Sequence, residues 1–167
     1  MSATPLNMAR VVSIVANDGK MPETKFVLKG NKDLKAENET SAVQLVNKDE
    51  AEVLQGFMKE EAKKWNTSNR VKVHFPANMG GKTGTPERDL QYKVYNEEND
   101  TYETRVRKNL NDAWYVFFVK TSKFEEAPLS VAIRIERSGA GSTRAVQLAY
   151  SAVLQALNDA GYEIINN

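Results

Sequence analysis

Residues 81 to 85 read Gly-Lys-Thr-Gly-Thr, which gathers one cation, two hydroxyls and two glycines into five consecutive positions. Set along a strand edge, such a group has clear uses. Lys82 offers positive field to an anionic group, and Thr83 and Thr85 offer hydroxyls to a carboxylate. Gly84 leaves room for another backbone to lie beside the strand. A nucleotide P-loop is the rival for these residues, because Gly81-Lys82-Thr83 matches its end. That motif needs a glycine five positions before Gly81 and a helix afterwards. The chain has Pro76 at the first of those places, and Pro86 with a Tyr-rich alternation at the second. Strand chemistry is favoured.

Other candidates are plainer. His74 is the only histidine; it has no partner histidine and alternates with Val73 and Phe75, so a structural role is favoured over a general base. Glu87-Arg88 reads as a rim salt bridge. Arg105, Arg107 and Lys108 look like a solvated strand end, though an anionic glycan could meet them. Trp114 and Phe118 read as core. The chain has no cysteine, which excludes thiol catalysis, disulfides and Cys-based zinc sites. No metal site and no cofactor are expected.

Lys plus Arg number 23 and Asp plus Glu 22, so the net charge of +1 does not point to a nucleic-acid partner. The 167 residues, 41 % of them hydrophobic, suffice for one core or part of a larger one. No apolar run reaches the roughly 18 residues of a membrane span. Met1-Ser2-Ala3-Thr4-Pro5 leads straight into a helix and does not read as a signal peptide.

The elements that must position the motif follow from local pattern. Thr4 caps a helix that Pro5 starts, and Asn17-Asp18-Gly19 ends it. Its apolar residues cover nearly every side, which predicts burial and suggests that structure outside the chain covers it. Met21 to Leu45 reads as extended or looped. Asn47 and Glu50 form a capping-box pattern before a helix over 48–65, with Leu54, Phe57, Met58, Ala62 and Trp65 on one stripe and Glu60 set to pair with Lys64. Strands are predicted at 71–75, at the motif, at 92–95 and 102–106 around a turn, at 113–119 and at 129–135. The strand at 113–119 is apolar on both faces and should be interior; the last alternates and should be wet on one face. Ser138 to Ser142 breaks the chain before a helix over 143–159, with Ala145, Ala149, Ala152, Val153, Ala156 and Ala160 on one face. The layout is α+β, an antiparallel sheet flanked by helices.

Lys82-Thr83-Gly84 is also one of the signatures shared by penicillin-binding proteins and class A β-lactamases. The surroundings match as well. Thr4-Pro5-Leu6-Asn7-Met8-Ala9-Arg10 with Ala16-Asn17-Asp18-Gly19-Lys20 resembles a helix upstream of that signature in the family. Asp112-Ala113-Trp114-Tyr115-Val116-Phe117-Phe118 resembles its next core strand, and Ala127-Pro128-Leu129-Ser130-Val131-Ala132-Ile133-Arg134-Ile135-Glu136 its last. Across essentially the whole chain, order and spacing resemble a class-B-like penicillin-binding D,D-transpeptidase domain.

The resemblance implies the C-terminal portion of a β-lactamase/transpeptidase-like fold. It implies that Lys82 and Thr85 are catalytic, with Lys82 meeting the nucleophile network and the Thr85 N–H forming half of an oxyanion hole. Thr83, Gly84 and Thr85 would bind substrate, the two hydroxyls holding the carboxylate of a stem peptide or a β-lactam. In the family a serine attacks a D-alanyl-D-alanine peptide, and an amine of a neighbouring peptide resolves the acyl-enzyme. The family's Ser-x-x-Lys pair is missing: no lysine of this chain has serine three residues before it, and Ser-x-Asn is absent too. Residues 1–167 therefore read as a single partial domain, the C-terminal half, inactive alone. The implied partners are the missing N-terminal half, peptidoglycan stem peptides and β-lactams, on the extracytoplasmic side of a membrane. The alternative is a non-catalytic transpeptidase-like interaction module. Under either reading the last strand presents an open edge that invites self-association.

Overall fold

A computed structural model describes residues 3–22, 42–87, 89–108, 111–120, 128–138, 142–159 and 161. They fall into two compact units: Met1–Thr67 with Phe75–Lys82 and Val116–Ala132, and Ser68–His74 with Thr83–Tyr115 and Ile133–Asn167. Three helices and antiparallel strand pairs make the fold α+β.

In the first unit, α1 (Pro5–Ala16) starts as its sequence dictates, with the Thr4 hydroxyl accepting from the Asn7 N–H at 3.2 Å. It ends at Asn17-Asp18-Gly19 as expected, with Gly19 in the left-handed region. Asp18 as well as Gly19 has positive φ, at 51° and 86°, and the Gly19 N–H donates back to Ile14 at 2.9 Å. Glycine is required at 19 because a Cβ there would collide with the Val46 carbonyl. Only Val12 and Ala16 of α1 are buried, while Leu6 and Val11 are exposed, so the apolar wrap is not matched by burial all round. After the helix, β1 (Lys20–Met21) pairs antiparallel with β2 (Val43–Gln44). The intervening polar stretch lies outside the described residues.

The capping box forms at the start of α2 (Lys48–Asn66), with both of its hydrogen bonds present. The buried face matches the predicted apolar stripe only in part. Ala51, Gln55 and Ala62 point inward, while Leu54 and Phe57 are exposed. Gln55 tolerates a core position because its amide is satisfied. It donates to the Val15 carbonyl at 2.7 Å and to Asp18 at 3.1 Å, and accepts from Lys120 at 3.1 Å. Lys120 also pairs with Asp18 at 3.5 Å. Asp18 thus gains partners that offset its unfavourable backbone conformation. On the wet side, Glu60 pairs with Lys63 at 3.8 Å.

Residues 71–75 alternate as expected, Val73 and Phe75 buried, Lys72 and His74 exposed, yet they form no strand. Phe75 takes its partners from a side chain instead. The Asn66 amide accepts from the Phe75 N–H at 2.7 Å and donates to its carbonyl at 3.0 Å, as a neighbouring backbone would.

Strands β3 (Met79–Gly84), β6 (Ala113–Val119) and β7 (Leu129–Ile135) form one sheet in the order β3-β6-β7. The central place belongs to β6, the strand predicted to be interior, and Tyr115, Phe117, Phe118 and Val119 are fully buried. All seven residues of β7 are half-buried, with no wet and dry face, as suits a strand at the end of a sheet. Between β3 and β6, β4 (Leu90–Asn96) and β5 (Thr101–Arg107) make a separate antiparallel hairpin, in register from Leu90↔Arg107 to Asn96↔Thr101. Its turn occupies the polar segment where it was predicted.

Helix α3 spans Ser142–Asp159. Its buried residues are Ala145, Val146, Ala149 and Val153, whereas Ala152 and Ala156 are exposed, so the inward stripe is narrower than the run of alanines suggests. Ala160 lies outside the described residues.

Candidate active site

The motif lies on β3, which stands at one end of the strand order. Met79, Gly80 and Gly81 are buried, Lys82 is exposed, Thr83 and Gly84 are half-buried, and Thr85 is exposed just past the last strand residue. Lys82, Thr83 and Thr85 thus lie within four consecutive residues, none of them buried. No helix follows, as a P-loop would require.

Gly80 explains how the strand begins. A Cβ there would lie 2.5 Å from Phe118 Cζ, 2.7 Å from Cε1 and 3.0 Å from the Met58 Cβ. Only glycine lets the Phe118 ring of β6 and helix α2 close on the strand together. The Lys82 ammonium then lies 4.0 Å from Glu61 of α2.

Beyond Lys82, other contacts back the motif. A Cβ at Gly84 would come within 3.4 Å of Trp114 Cβ, so the wall behind that glycine is close-packed. Trp114 is half-buried and carries the Arg134 guanidinium 5.7 Å above its ring. Arg134 in turn donates to Asp112 at 3.0 and 2.6 Å, and pairs with Glu136 at 3.0 Å. Asp112 is only 3 % exposed. Its carboxylate also accepts from the Arg137 N–H at 3.1 Å, and its own N–H donates to the Pro86 carbonyl at 3.4 Å. Asp112 therefore ties Pro86, adjacent to Thr85, to the start of β6 and the end of β7. The hydrogen bond to Asp112 also raises the Arg134 pKa above its ordinary value, against desolvation.

The other sequence candidates stay apart from this group. His74 is exposed on its irregular segment, Arg105 pairs with Glu103 at 3.6 Å on the hairpin, and Arg107 and Lys108 are exposed. Arg88 lies outside the described residues. Among those residues no group of His, Asp and Glu could hold a metal ion, and no helix is long and apolar enough to cross a membrane.

Sequence reasoning missed two parts of the site. Glu61 was hidden among the charges of α2, where no periodicity marks which acid meets the strand. Asp112 had a faint signal, an acid directly before an all-apolar strand, but its partner lies 22 residues on.

No curated protein matches the chain. The family model described as the penicillin-binding protein transpeptidase domain matches residues 1–152, and the chain belongs to that family.

Proposed function

We propose that this chain forms the Lys-Thr-Gly wall of a serine acyl-transfer site that cross-links peptidoglycan stem peptides and is acylated by β-lactams. The observation that carries the reading is the placement of Lys82, Thr83 and Gly84 on an end strand of the sheet within a transpeptidase-family match. Lys82 supplies positive field to the nucleophile network and the substrate carboxylate, where preorganised charge lowers the barrier. The Thr83 and Thr85 hydroxyls hold that carboxylate, and Gly84 lets the peptide lie along the strand. The Thr85 N–H donates to the oxyanion of the tetrahedral intermediate.

The nucleophile comes from sequence outside these residues, because they contain neither Ser-x-x-Lys nor Ser-x-Asn. Residues 1–167 are thus the C-terminal half of the domain, working on the extracytoplasmic side. Self-association through the outer edge of β7 accompanies isolation of this half, since a strand at the end of a sheet offers its backbone to another chain.

Intact-mass spectrometry after incubation with benzylpenicillin tests the reading. The 167-residue chain is expected to keep its mass, while the full-length protein gains one penicilloyl group. In the full-length protein, Lys82→Ala is expected to slow acylation by roughly 10²–10³-fold, the usual cost of deleting a preorganised charge or donor. An adduct on the isolated chain sinks the division of labour. Undiminished acylation of Lys82→Ala sinks the site.

A further inference from the structure

Side chains alternate along a strand, so Gly80 and Lys82 project to the same face of β3. At Gly80 that face meets α2, with only 3.0 Å between a Cβ placed there and the Met58 Cβ. Met58 and Glu61 are three residues apart on α2 and so share one side of the helix. The contact at Gly80 therefore sets the register of the helix on the strand: Met58 falls over Gly80, and Glu61 falls beside Lys82. The Glu61 Oε1 atom lies 4.0 Å from the Lys82 Nζ atom. Burial distinguishes this acid from its neighbour, for the Glu61 side chain is 22 % exposed and that of Glu60 is 66 %.

We propose that Glu61 is a positioning residue for the acyl site, its carboxylate holding the Lys82 ammonium on the α2 side of β3. Lys82 carries a flexible stem that is 62 % exposed, and an ammonium so placed samples many rotamers unless a partner restrains it. Glu61 supplies that restraint from a helix already locked to the strand at Gly80. The inference rests on the reading of Lys82 as part of the acyl site.

The test uses the full-length protein and the second-order rate of acylation by a fluorescent penicillin. Because the lysine is largely solvated, a modest effect is expected: Glu61→Gln slows acylation roughly three- to fivefold. Glu61→Asp, which keeps the charge on a shorter stem, restores part of the rate. Salt at about 1 M, where screening acts within about 3 Å, brings wild type down towards Glu61→Gln. The thermal midpoint of Glu61→Gln stays within about 2 °C of wild type, since little stability resides in an exposed pair. An unchanged rate for Glu61→Gln, with Lys82→Ala slowed as expected, overturns the role of Glu61 and leaves the acyl site standing. A rate loss that tracks the thermal midpoint and ignores salt also overturns it, as a purely structural effect. If Lys82→Ala acylates normally, both the site and the role of Glu61 fall.

Discussion

Gly80→Ala should be among the most disruptive single-methyl changes in the molecule. The added Cβ would sit 2.5 Å from Phe118 Cζ and 2.7 Å from Cε1, where ordinary carbon contacts are about 3.5–4.0 Å. The ring must retreat by more than about 1 Å, and it has nowhere to go: Phe118 is fully buried on the central strand. Helix α2 cannot give way easily either, since the Met58 Cβ is 3.0 Å from the same point. Overpacking of this kind costs typically 1–3 kcal/mol, and two rigid neighbours place Gly80 near the upper end, at about 3 kcal/mol. Alanine also narrows the unfolded ensemble, which returns about 0.4–1 kcal/mol. The net loss is about 2 kcal/mol, or roughly 4–8 °C in thermal midpoint for a chain of this size.

Urea unfolding followed by circular dichroism measures that loss, and a double-mutant cycle assigns its cause. Phe118→Leu alone should cost about 1–2 kcal/mol through the cavity it leaves. Leucine does not reach the position of Cζ, so Gly80→Ala added to it should cost about 1 kcal/mol or less, the remaining contact with the Met58 Cβ. The coupling between the two sites is then at least about 1 kcal/mol. Additivity within about 0.5 kcal/mol, or a Gly80→Ala variant as stable as wild type, refutes the packing argument.

Asn66→Ala removes two hydrogen bonds to the Phe75 backbone and should destabilise the protein by about 1–3 kcal/mol, read by urea titration; Asn66→Asp, which keeps the acceptor and loses the donor, should fall between. Gln55→Leu keeps the apolar bulk but leaves the Val15 carbonyl and Lys120 without its amide, so it should cost about 1–3 kcal/mol despite its greater hydrophobicity, and a more stable variant contradicts the account. The hydrogen bond from Gln55, aided by the charge of Lys120, holds the Asp18 carboxyl below its ordinary pKa. A depressed carboxylate pKa adds stability that is fully present above the unfolded value of about 3.9 and is lost as pH falls through the folded value. Stability measured from pH 6 downward should therefore fall less steeply below about pH 4 in Asp18→Asn than in wild type, and identical slopes rule out the linkage.

Much of the architecture was legible because it is written in short-range chemistry. Thr4 with Pro5 starts a helix, Asn47 with Glu50 closes a capping box, and the polar segment before Thr101 turns a hairpin, each through contacts within a few residues. The all-apolar run at 113–119 announced the central strand because only a strand covered on both faces tolerates it. The motif at 81–85 was legible for the same reason: its chemistry resides in consecutive residues.

The misreadings have a common cause in partners that are distant in sequence. Of the stripe of Leu54, Phe57, Met58, Ala62 and Trp65 on α2, Ala62 is buried but Leu54 and Phe57 are exposed, and Gln55 faces inward because Val15 and Lys120, 40 and 65 residues away, satisfy it. Alternation at 71–75 suggested a strand, but an asparagine side chain took the place of the neighbouring backbone.

The sequence by itself determined which groups could do chemistry, where helices begin and end, and which signatures of acyl transfer these residues lack. The tertiary structure decided which faces are buried and which charges meet: Glu61 beside Lys82, Asp112 beneath Arg134, Phe118 against Gly80. Caps and turns are settled by local hydrogen bonds and backbone conformation. Burial and ion pairing depend on which distant residues the fold brings within a few ångströms.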